Sequence, residues 1–139
     1  MNKRYLISLS LIVFSLWLGV QFYVQPGNEV PLIKKIAELF WIPIILLPDL
    51  PGFLNDSLSD GLWMMALGST IIAIWDHTIS YPFIIFYGIS ILVGLGFEFG
   101  QAVRIIQGTF DIYDCLAIIM GGLVPLILLS KKQHYEYKC

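Results

Sequence analysis

Four apolar runs, separated by short polar stretches, dominate the chain. Tyr5 to Val24 is apolar apart from Ser8, Ser10, Ser15 and Gln21. About 20 helical residues, rising about 1.5 Å each, cross a hydrocarbon layer of about 30 Å. The basic start MNKR resembles the front of a secretory signal. The run is long for one, however, and no small-x-small cleavage site precedes Pro26, so it reads as an uncleaved first span over 5–24. The second run, 58–76, carries Trp63 and Trp75 near its ends, where interfacial aromatics collect. Ser57 and Asp60 have the S-x-x-D spacing of a capping box and predict its start. The polar turn WDHTISYP reads as a solvated loop holding Asp76 and His77, and Pro82 suits the first turn of a third span, 82–100. Within that span Gly96 and Gly100 have GxxxG spacing, which predicts close helix packing there. Asp111 and Asp114 can cap and charge the start of a fourth span, 114–130.

Residues 25–57 break the pattern. Pro26, Gly27 and Pro31 interrupt any helix, and Pro43, Pro48 and Pro51 do so again. Between them, Ile33, Ile36, Ala37 and Phe40 fall on one helical face, with Lys34, Lys35 and Glu38 opposite. That periodicity predicts an interfacial or re-entrant segment, with a fifth span over 32–48 as the alternative. Four spans put both termini on one side. Lys3, Arg4, Lys131, Lys132 and Lys138, five of the eight basic residues, then lie together, and the positive-inside bias makes that side the cytoplasm.

Composition agrees with this picture. The chain has 139 residues, 58% hydrophobic and 13% charged. A soluble domain carries about 25% charged residues. The expected fold is an all-α polytopic membrane bundle: one domain, about four spans and an outer interfacial or re-entrant segment. The net charge of −2 gives no reason to expect nucleic acid. Membrane lipids are the expected partners, with a helix partner or a second copy of the chain left open. Cys115 and Cys139 fall near opposite faces, which argues against a disulfide, and no metal-binding cysteine pattern or cofactor motif is present.

Candidate chemistry gathers in EFGQAVRIIQGTFDIYD, residues 98–114, between two apolar runs. The four-span topology places Asp60, Glu98, Gln101, Arg104, Asp111 and Asp114 at one, outer, face. Capping alone accounts well for Asp60, Asp111 and Asp114. Glu98 stands at the C-terminal end of its helix, where the dipole disfavours an anion. It therefore calls for a partner, and Gln101 and Arg104 are the nearest candidates. Several carboxylates at one membrane face can also bind a divalent cation through oxygen.

E-x-x-Q at Glu98 and Gln101, then G-x-x-D-x-x-D at Gly108, Asp111 and Asp114, then Gly121, resembles the VanZ-like family of small bacterial membrane proteins. The likeness runs from Asp60 to Gly122, about half the chain. Where that family usually has Asp followed by Lys and His, this chain reads Asp60-Gly61-Leu62-Trp63, and Ile118 stands where an Asn is frequent. The resemblance implies a helical protein of the cell envelope, and the name-giving member is associated with glycopeptide (teicoplanin) resistance. It assigns no catalytic roles. An enzyme acting on a lipid-linked head group and a small transporter or assembly partner are the rival functions.

Overall fold

The computed structural model describes residues 3–25, 30–48 and 51–129, apart from the side chains of 52–56. The C-terminal lysines and Cys139 lie outside the described residues. Five helices follow in order: α1 Lys3–Tyr23, α2 Pro31–Leu39, α3 Gly52–Ile74, α4 Tyr81–Ala102 and α5 Ile112–Leu129. Among the described residues there is no strand. All but α2 are long and apolar enough to cross a membrane. Their outward surfaces are apolar, with Ile74, Leu92, Phe99 and Ile127 each more than half exposed. Such faces suit hydrocarbon rather than water. Among the described residues the chain thus has the build of a multi-pass helical membrane protein, with four candidate spans.

Helix α3 is central. It packs along much of its length against α1 on one side and α5 on the other, while α4 touches α3 and α5 more sparsely. The α3–α5 seam is close because two glycines meet in it. A Cβ on Gly61 would lie 3.0 Å from the Ala117 carbonyl oxygen, and one on Gly121 would collide with the Gly61 backbone. Small residues let helix backbones approach in this way. The sequence expectation had put close packing at Gly96 and Gly100 instead. Gly96 meets nothing within 4 Å, and Gly100 faces Ile106 of its own turn rather than another helix. Tyr87 ties three helices together: its ring lies over Gly68 of α3, and its hydroxyl donates to the Gly122 carbonyl of α5 at 2.6 Å.

The expected capping box also fails. Helix α3 begins at Gly52, behind the extended Pro51, so Ser57 and Asp60 stand well inside it. Of the expected solvated loop, Asp76 is exposed but His77 is not. His77 is 1% exposed, its Nε2 is 2.8 Å from Ser8 Oγ, and Tyr5 stacks edge-on against its ring. Tyr5 donates to Asp76 at 2.9 Å. The α3–α4 turn is thus fastened to the start of α1, because Ser8 and Tyr5 share the α1 face that meets α3.

The segment after α1 is short of a span. Helix α2 has nine residues and docks through Ile33 and the fully buried Ala37 onto Val20 and Val24. Ile36 and Phe40, expected on that same face, point outward with Leu32 and Leu39. After Trp41, at φ +52, residues 42–48 are irregular backbone. Two glutamines of the α1 C-terminus hold that backbone. Gln21 donates to the Pro43 carbonyl (3.0 Å) and accepts from the Ile45 amide (2.8 Å). Gln25 donates to the Ile45 carbonyl (3.0 Å) and accepts from the Leu47 amide (3.2 Å). The carboxamides act as stand-ins for a neighbouring strand. Irregular backbone at membrane depth needs such internal partners.

Candidate functional site

The up-and-down order of the spans brings the C-terminal end of α4, the N-terminal end of α5 and the early turns of α3 to one end of the bundle. Asp60, Glu98 and Asp114 meet there, each offering a carboxylate oxygen within 4.8 Å of the others. Glu98 is 4% exposed, while Asp60 and Asp114 are half-buried.

Each acid is held from a different direction. Ser57, one turn before Asp60 on α3, donates to Asp114 Oδ1 at 2.6 Å. This bond replaces the capping contact that the spacing predicted. Ser59 donates to the Tyr23 hydroxyl at 3.2 Å, and that hydroxyl is within hydrogen-bonding reach of Asp60. The Glu98 carboxyl faces the backbone amide of Asp111, and its Oε2 is buried without a hydrogen-bond partner. A buried acceptor left unmet costs about 1–3 kcal/mol, more when charged.

The other candidates divide. Asp111 caps α5, accepting from the Tyr113 amide at 2.9 Å, as its position predicted. Gln101 lines the cleft described below, and its carboxamide packs over Gly108, whose φ is +142. Arg104 is not the partner of Glu98. It lies beyond the end of α4 at φ +60, exposed, and among the described residues no ion pair joins it to an acid. The physical reason is the turn: the Ile105 and Ile106 amides both return to the Gly100 carbonyl, which swings Arg104 outward.

A cleft of about 380 Å³ leads from these acids along the α3–α4 seam. Asp60, Glu98 and Gln101 stand at its polar end. Trp63, Met64 and Leu67 form the α3 wall, Val93 and Phe97 the α4 wall, and Ile118 of α5 the floor. No lysine, arginine or histidine lines it. Sequence reasoning found the acids but missed the cleft, which exists because α4 packs loosely. It also missed what Gln21 and Gln25 hold and that Ser57 bonds Asp114; the two glutamines, one turn apart at the end of an apolar run, were the available signal.

No family model, curated protein or solved structure matches the chain. The reading of the site therefore rests on its own geometry.

Proposed function

We propose that this chain is a VanZ-like membrane protein of the cell envelope that holds a lipid-linked molecule. The lipid chain lies in the α3–α4 cleft and the head group at the acids. The observation that carries the reading is a cleft apolar along its walls and carboxylate-lined at one end. Most ligand sites are apolar with a few convergent polar groups. Set in a membrane, this one suits an amphiphile. Along α4 it runs from Ser90 to Gln101, about 16 Å of helix axis. The head-group end belongs at the outer face, because that orientation keeps the basic termini cytoplasmic. The VanZ-like resemblance adds the cell envelope, a bacterial cell membrane and lipid-linked peptidoglycan precursors as the context, with glycopeptide susceptibility as the cellular readout.

Native mass spectrometry of the purified protein tests this. The wild type should carry a lipid-linked species. Leu67→Trp and Val93→Trp, at half-exposed positions on the two cleft walls, should lose it while remaining folded. Equal retention by both variants would place the lipid elsewhere. A reporter fused after Cys139 should be cytoplasmic; an external signal would reverse the sidedness. Turnover of the bound species, abolished by Glu98→Gln, would replace a binding role with an enzymatic one.

A further inference from the structure

We infer that Asp60, Glu98 and Asp114 form a binding site for a hard divalent cation, of which Ca²⁺ is the best-fitting size. Two independent features point to it. Three carboxylates from three helices converge, with oxygens within 4.8 Å of one another. In addition, Glu98 is 96% buried by its 4% exposure, and its Oε2 has no hydrogen-bond partner. A carboxylate withdrawn from water in this way needs a counter-charge, hydrogen-bond donors or a proton, and a bound cation would supply the first. The cleft lining supplies no cationic side chain, and Arg104 points away.

The dimensions select the ion. Ca²⁺ binds oxygen at about 2.3–2.6 Å, so ligands on opposite sides of it are about 4.6–5.2 Å apart. Carboxylate oxygens no more than 4.8 Å apart are of that scale. Mg²⁺, at about 2.0–2.1 Å, makes a tighter shell and dehydrates reluctantly. All-oxygen ligation disfavours soft transition metals. Three carboxylates leave further positions of a six- to eight-coordinate shell for water or ligand oxygens. Ser57, by donating to Asp114, fixes one ligand in the manner of an outer-shell support.

The cation-binding inference stands without the amphiphile reading. The ion's role does rest on that reading: it would give the acidic cleft end the positive charge needed to hold a phosphorylated head group. Ca²⁺ titration by calorimetry, on protein in zwitterionic nanodiscs, tests the site. The wild type should bind one Ca²⁺. Glu98→Gln, which keeps the side-chain shape, should weaken binding at least tenfold, as should Asp114→Asn. Asp76→Asn, at the opposite end, should leave it unchanged. Should Glu98→Gln fail to fold, as judged by circular dichroism, Asp60→Asn replaces it. Wild-type affinity in all the cluster variants, or no saturable binding at millimolar Ca²⁺, would overturn the site. Val93→Trp separates the two proposals, since it should lose lipid and keep Ca²⁺.

Discussion

Replacing Gln21 with Leu should release the irregular segment 42–48 while leaving the four spans in place. Gln21 is fully buried, and among the described residues its carboxamide makes two of the four side-chain hydrogen bonds that hold this backbone. Leucine fills similar space but offers neither donor nor acceptor. The Pro43 carbonyl and the Ile45 amide are then unmet, at about 1–3 kcal/mol each if they stay buried. Partial rewetting at the bundle end lowers the sum to about 2–4 kcal/mol. Local opening free energies appear directly in amide exchange. At 1.4 kcal/mol per decade, exchange of the Ile45 amide should therefore accelerate by about 30- to 700-fold. Amides in the middle of α3 should keep their protection.

Gln21→Glu sharpens the test, because it retains the acceptor for Ile45 and loses the donor to Pro43. Its effect should be clearly smaller at Ile45, provided the carboxylate does not draw in water. The double variant with Gln25→Leu should be less than additive, since one strand of backbone is lost only once. Unchanged Ile45 exchange in Gln21→Leu would refute the reasoning, and would mean that α2 docking through Ala37 holds the segment alone.

Two further substitutions separate the observed packing from what spacing alone suggests. Gly121→Ala pushes a methyl into the Gly61 backbone and should cost about 1–3 kcal/mol in detergent thermal denaturation, whereas Gly96→Ala, with open space around it, should be neutral or stabilising by about 0.5–1 kcal/mol. Arg104→Ala should change stability by no more than about 0.5 kcal/mol, because the side chain is exposed, and Arg104→Gly should raise it, because glycine relieves the positive φ. A loss of several kcal/mol on Arg104→Ala would restore the Glu98–Arg104 pairing.

The spans were legible because period and length are local properties. Tyr5–Val24 and 82–100 nearly coincide with α1 and α4, and the fourth run with α5. The start of α3 was misread because Ser57 and Asp60 satisfy a local rule while their side chains answer to another helix. The same logic misplaced His77. A polar turn normally needs no explanation, yet here Ser8 and Tyr5, some seventy residues earlier, enclose it. GxxxG spacing at Gly96 and Gly100 was equally local evidence. The close seam is made by Gly61 and Gly121 on separate helices, and no GxxxG spacing within either helix announces it. Asp111 was read correctly because its role is confined to its own helix. For Asp114 half of that reading held: the residue charges the first turn of α5, but its carboxylate reaches across to Ser57 instead of capping its own helix.

The acid cluster is unlike the other polar contacts of this bundle in what it does for stability. Ser8 with His77, Tyr87 with Gly122, and the two glutamines with residues 43–47 each join a donor to an acceptor and tie elements together. Asp60, Glu98 and Asp114 are three acceptors facing one another. Only Asp114 gains from a helix dipole, at the first turn of α5; Glu98 stands at the disfavoured end of α4. Substituting any one of them by its amide should therefore cost little stability in the absence of a ligand, since it replaces a repulsion with a donor. Sites that break local rules without a structural return are where function is expected to lie. The seam they occupy, between α4 and the close-packed α3–α5 pair, is also much looser than the α3–α5 and α1–α3 seams. On the proposed reading, a ligand would enter there without parting Gly61 from Gly121.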